Sequence, residues 1–359
     1  MTIMLLVAVV LGLPAKASAR QPRLSSVYVE IKNGRCAALD KNGWTLELDA
    51  LAAIGVAAVV TKNSVRNPHK VPGHYEASYP SQLEWVTART PNDSVDALLS
   101  AADAHPANFS VHLGHFEDHV WFNKTLRSDA YLRELAARAM AVQTELHKRY
   151  SHHPSFVGSY DPQETNAMSW IQPDQQRSVA NLYLGPVWAG GRALGLETSC
   201  APFFSPNTSD PARHSAWWSG TLDLVPPRAL TTAFLDDDLA TNFWTIEGPL
   251  PFFEAAAKVM RAHGVAVWSD AVDHTHDDVP APTERFVEQL QAEASIVDSG
   301  TAFTTFEWCY YFSPNSGARQ KALYDGYARY LNSTRGREYS LKSEYERGRL
   351  DRTHERRGV

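Results

Sequence analysis

Phe156-Val157-Gly158-Ser159-Tyr160-Asp161-Pro162-Gln163-Glu164 is the stretch from which the rest of the chain can be read. A short, nearly continuous apolar run turns polar at a proline, as expected of a strand buried on both faces that ends in a loop. Just upstream, Ala130–Arg149 places Leu132, Leu135, Ala139, Val142 and Leu146 on one face of an amphipathic helix. Helix then buried strand is one step of a βα repeat, and the alternation continues from about residue 24 to 331. The strand-like runs are Val27–Ile31, Val56–Thr61, Phe109–Leu113, Phe156–Tyr160, Leu196–Ala201, Leu222–Val225, Val265–Trp268 and Phe303–Trp308. Phe252–His263 is a further helical pattern, with Phe252, Phe253, Ala256, Val259 and Met260 on its apolar side. Gly55, Gly195, Gly264 and Gly300 each stand between a helical pattern and the next strand, where a left-handed residue ends a helix before a tight turn. Eight such units predict an α/β chain folded as a single (β/α)8 TIM barrel, in preference to a doubly wound open sheet.

Composition agrees with one large domain. The chain has 359 residues, 44% of them hydrophobic, and a formal charge of -6. No basic stripe appears ahead of the tail, so a nucleic-acid partner is not expected. The segments after the strands are long and polar and those after the helices short, as in barrels whose sites are built from loops at the strand C-termini. The expected organisation is a leader over residues 1–19, a barrel over 24–334 and a charged, solvated or disordered tail over 335–359.

The leader is read from an apolar run, Ile3 to Leu13, followed by Ala17-Ser18-Ala19, the small-residue pattern of a secretory cleavage site. That run is too short to span a bilayer, so no stable membrane anchor is expected. Sequons at Asn92, Asn108, Asn123, Asn207 and Asn332 exceed what chance supplies, and they point to a eukaryotic secretory pathway and a glycoprotein. Cys36, Cys200 and Cys309 allow at most one internal bridge and define neither a disulfide framework nor a metal site.

A carboxylate just past a barrel strand points into the mouth, where desolvation raises its pKa and suits it to general-acid work. Glu164 holds that position after the fourth strand. Residues 145–164, from Glu145-Leu146-His147 through His153-Pro154-Ser155 to Gln163-Glu164, resemble the fourth βα unit of family forty-four thirty-four of the domains of unknown function. Members are glycosidase-like TIM barrels with a Gly-Trp-Tyr-x-Pro-x-Glu pattern at this place. Trp268-Ser269-Asp270 matches the family's seventh strand, and Phe306-Glu307-Trp308-Cys309-Tyr310-Tyr311 its C-terminal end. The sequence departs from the pattern at Ser159 in place of Trp, at Val272 where an acid is usual, and after Asp223, where Leu224-Val225-Pro226-Pro227 follows in place of a Gln-Asp pair.

The resemblance implies a glycoside hydrolase acting on carbohydrate without a cofactor, and such chemistry needs two carboxylates flanking the scissile bond. Glu164 is the expected acid. Glu307, near the end of an aromatic strand, is the preferred partner over Asp270. His115, Glu117 and Trp121 are expected to orient or stack on a sugar, with Tyr160, Trp268, Trp308 and Tyr310 as further pocket walls or plain core. Two other readings stay open: a non-catalytic carbohydrate-binding barrel, and a metal-dependent hydrolase using the His and Asp residues after strands three and seven. No metal ligand is assigned, because the spacings match no ligand motif.

Overall fold

The computed structural model describes residues 21–31, 35–68, 73–90, 92–123, 128–166, 170–204, 210–240, 245–298 and 302–333. The expected leader, Gly300, Asn207 and the charged tail lie outside them.

The chain begins with β1 (Ser26–Val29), α1 (Lys41–Ala53) and β2 (Ala58–Thr61). Three short strands follow, β3 (Val65–Asn67), β4 (Glu76–Ala77) and β5 (Ala88–Arg89), and then α2 (Ser94–Ala104). Next come β6 (Ser110–Gly114), β7 (Phe116–Asp118), α3 (Asp129–Tyr150) and β8 (Phe156–Asp161). The helical connection α4 (Pro173–Val179) and α5 (Gly185–Ala193) leads to β9 (Glu197–Cys200) and α6 (Pro211–Leu224). The last units are β10 (Thr232–Asp236), α7 (Leu250–Ala262), β11 (Ala266–Asp270), α8 (Thr283–Glu293), β12 (Phe303–Thr304) and α9 (Ala318–Asn332).

Eight strands form one parallel sheet in the order β1-β2-β6-β8-β9-β10-β11-β12. Its edges meet: Ser25 N–H donates to the Phe303 carbonyl at 3.0 Å and Tyr28 N–H to the Thr305 carbonyl at 2.9 Å. The predicted TIM barrel is therefore the fold. Gly55, Gly195 and Gly264 sit at φ of 81°, 79° and 74°, the left-handed conformation that ends α1, α5 and α7 before the next strand.

The sixth strand is a correction. Leu222–Val225 is not a strand: Leu222 packs with Trp217, Trp218 and Thr221 on the buried side of α6, and the helix stops ahead of Pro226-Pro227. The strand is Thr232–Asp236, the β-branched and aromatic run after the Arg228 turn. The shift matters for function, because it brings Asp236-Asp237-Asp238 to the barrel mouth.

A second sheet, order β5-β4-β3-β7, was not foreseen and is built from the loops after β2 and β6. The main core fills the space between barrel and helices. A separate aromatic cluster, Tyr28, Val60, Tyr160, Ala201 and Phe234, packs within the barrel with Trp268 and Phe306 against it.

First and last units are locked together beside α1. Glu47, fully buried, accepts hydrogen bonds from Trp308 Nε1 (2.7 Å), Ser313 Oγ (2.6 Å) and Asn315 Nδ2 (3.1 Å), and also pairs with Arg35. Cys36 and Cys309 form a disulfide across 273 residues, with Cα atoms 6.0 Å apart. Cys200 is a buried free thiol. Replacing Cys309 by Ser is expected to cost about 2–5 kcal/mol. Thermal melting checks this: a reductant should lower the Tm of the native chain and leave that of the variant unchanged.

Candidate active site

At the C-terminal ends of the barrel strands lies a cavity of about 250 Å³. Its floor is aromatic: Tyr28 and Tyr160 meet edge to face at 5.1 Å, with Phe234 beneath, 5.7 Å from Tyr28. Phe203 and Phe306 contribute to its walls. Above the floor the lining is charged, with Lys62 after β2, Glu164 after β8, Asp236 and Asp238 at the end of β10 and Asp270 at the end of β11.

Glu164 is half-buried, and its main chain is held from behind, its carbonyl accepting from Trp121 Nε1 at 3.1 Å and Asn166 Nδ2 at 3.3 Å. Burial raises its carboxyl pKa; Lys62 and His119 work against that shift and Glu117 adds to it. Asp270 is 4% exposed, and its Oδ1 has no hydrogen-bond partner among the described residues. Burial, then the neighbouring Asp237, Asp273 and Glu164, push its carboxyl well above the usual range, and Lys62 opposes only weakly. Lys62 was not singled out from the sequence. Burial disfavours its ammonium, but Glu117 (Nζ to Oε1 3.5 Å), Glu164 and Glu30 outweigh this and raise its pKa.

Glu307 does not line the cavity. It is buried with Oε1 accepting Glu30 N–H and Oε2 accepting Tyr310 N–H, both at 2.7 Å, while its own N–H donates to Asp273 Oδ1 at 3.0 Å. The expected strand over Phe303–Trp308 stops at Thr304, and Glu307 lies past it as the cap of a helical turn over Trp308–Phe312, so both oxygens cap backbone and the buried acid is accounted for without chemistry. Trp308, Glu47's donor, is fully buried. Trp268 is half-buried, edge to face with Phe234 at 5.8 Å, and Tyr310 is 37% exposed outside the cavity.

Trp121 is also fully buried, packed on Trp170 and Tyr183, so it supports Glu164 and offers no open ring face. His115 is buried, its Nδ1 accepting Phe116 N–H at 2.8 Å and its Nε2 3.8 Å from Asp161, and burial pushes its pKa down to about 3. Glu117 accepts Asn63 Nδ2 at 2.7 Å. Burial alone would raise its pKa, but Lys62 and then His119 hold it down at about 2. Of the expected sugar contacts, only Tyr160 is a cavity-lining residue.

The loop carrying Asp270 is fixed from outside. Arg285 donates to the carbonyls of Val272 (3.0 Å) and His274 (2.7 Å), and Asp237 accepts from Leu239 N–H (3.1 Å), Val272 N–H (3.3 Å) and Gln289 Nε2. These residues carry no motif in the sequence. Among the described residues the one group with metal-ligand spacing is Asp96, His152 and His153, none of which lines the cavity. Among the described residues, no helix is long and apolar enough to cross a membrane.

Solved structures share this barrel architecture. A Bacteroides thetaiotaomicron VPI-5482 protein provisionally named an alpha-L-fucosidase superposes with a TM-score of 0.69 at 18% identity, over 92% of this chain and 99% of that one. A Bacteroidetes-affiliated GH5 cellulase gives 0.52 at 13% identity, over 91% and 94%. A GH113 beta-1,4-mannanase gives 0.51 at 8% identity, over 87% and 99%. These likenesses establish the fold alone. Comparison with curated proteins gives no match. Residues 28–318 match one family over most of the chain, and the protein belongs to that family, described as a domain of unknown function (DUF4434).

Proposed function

We propose that the protein is a secreted glycoside hydrolase in which Glu164 and Asp270 form the catalytic carboxyl pair. The observation that carries this reading is that both face one cavity, at the ends of the fourth and seventh barrel strands, and burial raises both carboxyl pKa values. Similarity in fold to the fucosidase-named protein, the cellulase and the mannanase supports a carbohydrate substrate. Asp270 takes the role expected of Glu307, whose oxygens are occupied by backbone N–H groups.

Both carboxyls are shifted upward by burial, and Glu164 adds to the rise at Asp270, so the pair holds one proton more readily than two free carboxylates would. Glu164 has Lys62 and His119 near it, which favour its ionised form, whereas Asp270 is surrounded mainly by other acids. The resting proton therefore belongs on Asp270 and the negative charge on Glu164, the reverse of the roles that position alone suggests. Asp270 protonates the departing oxygen, and Glu164 attacks the sugar carbon or activates water. The Cys36–Cys309 bridge supports an oxidising compartment, and Asn92, Asn108, Asn123 and Asn332 are exposed, as glycan attachment requires.

Glu164→Gln and Asp270→Asn should each lower kcat on a natural glycoside by about 10²–10⁴. On an aryl glycoside with an activated leaving group, Asp270→Asn should recover turnover and Glu164→Gln should not; the opposite pattern exchanges the two roles. Glu307→Gln should lower Tm more than kcat. Because the active state needs one proton on the pair, the alkaline limb of kcat/KM should lie above the ordinary carboxylate range. Lys62→Met removes a cation that favours ionisation, so a measured pH profile should show that limb moving to higher pH. Expression in a eukaryotic secretory host should give a secreted product whose mobility on a gel shifts after enzymatic removal of N-glycans; an intracellular, unshifted product would overturn the secretory reading.

A further inference from the structure

The turn between α3 and β8 enters the barrel at the end away from the cavity, and it sets two adjacent histidines against α2. His153 is 7% exposed and reaches along that helix. Its Nδ1 lies 2.6 Å from Asp103 Oδ2 in the last turn of α2, and its Nε2 lies 3.3 Å from Asp96 Oδ1 in the first. Asp103 is itself anchored, its Oδ1 accepting Ser155 N–H at 2.9 Å. A carboxylate held in this way takes the Nδ1 proton of the ring, which leaves the Nε2 lone pair turned toward a second carboxylate. Lone pair and carboxylate repel unless a positive centre lies between them. A proton on Nε2 would serve, but it gives no part to His152, whose exposed ring is centred 4.1 Å from that of His153.

The donor set and its spacing favour a metal ion. One ligand atom each from Asp96, His152 and His153 lie within 4.8 Å of one another. Two ligands held at about 2.0–2.1 Å by one tetrahedral ion stand about 3.3–3.4 Å apart, which matches the separation of His153 Nε2 from Asp96 Oδ1. His152 is on the surface, so a small turn of its ring closes the remaining gap. The contact of Asp103 with Nδ1 is the kind of outer carboxylate that orients a metal-bound imidazole. Two imidazole nitrogens and one carboxylate suit zinc, whereas calcium and magnesium prefer an all-oxygen set. We propose that Asp96, His152 and His153 bind one zinc ion, with Asp103 orienting His153 and the fourth position left to water. None of these residues lines the cavity, so the ion takes no part in bond cleavage and the proposal does not rest on the sugar reading. Its work is structural: it ties the turn that leads into β8, the strand ahead of Glu164, to the neighbouring helix α2.

The test uses the native full chain, stripped of metal with EDTA and dialysed, then titrated with zinc chloride by calorimetry and followed by thermal melting. One zinc ion should bind at this site with a Kd of about 10 µM or lower, and tenfold excess over Kd should raise the Tm by about 2 °C or more. Calcium chloride at the same concentration should do neither. His152→Ala and Asp96→Asn change side chains that are exposed or half-exposed, so the metal-free Tm should stay close to that of the native chain. Each should weaken this zinc site about tenfold or more and abolish the rise in Tm. A chain that binds no zinc would leave a proton on His153 as the positive centre and overturn the proposal. So would calcium acting as zinc does, or a zinc-dependent rise in Tm that survives either substitution.

Discussion

Barrel closure at the seam between β12 and β1 is the constraint on which the rest depends. Strand β12 is only two residues long, and the hydrogen bonds from Ser25 and Tyr28 that close it are few. A parallel sheet left open there would expose unpaired edges and an unfilled interior. The burden passes to side chains behind the seam. Glu47 gathers donors from Trp308, Ser313 and Asn315 into the body of α1, and the Cys36–Cys309 bridge holds the same two regions. Aromatic packing among Tyr28, Tyr160, Phe234 and Phe306 then fills the barrel from within.

Closure is also what concentrates charge. All eight strands run the same way, so the polar residue ending each one arrives at a single rim. The aromatic plug below keeps water out from underneath, and carboxylates there lose solvation. Asp270 shows the effect most clearly, with burial first and its acidic neighbours second among the causes of its raised pKa. Lys62 and the Arg285 clamp temper this from opposite sides, one by charge and the other by fixing the loop after β11.

Periodicity made the fold legible. Seven of the eight barrel strands lie where buried apolar runs follow helical patterns, and three of the four punctuating glycines lie in the left-handed conformation. The sixth strand was hidden because the end of α6, Leu222–Val225, is as apolar as a strand and stands before two prolines. With it were hidden Asp236 and Asp238, although a β-branched run ending in three aspartates was a readable signal. Glu164 and Asp270 could be found from their places after strands. Whether a carboxylate faces a cavity or caps backbone is a matter of a few ångströms, which separates Asp270 from Glu307 and leaves no trace in spacing. Trp121 is similar: the sequence shows a large ring near the mouth, and only packing shows that both faces are covered.

The seam has a consequence for the integrity of the chain. Because Cys36 and Cys309 bracket nearly the whole barrel, the polypeptide between them is a covalent ring. A single cut in any rim loop within that ring yields no separate fragment, and the two new ends stay tethered to the same body. In a medium rich in proteases, the long loops that shape the mouth can be nicked while the pieces remain one molecule, until the sulfur link itself is reduced.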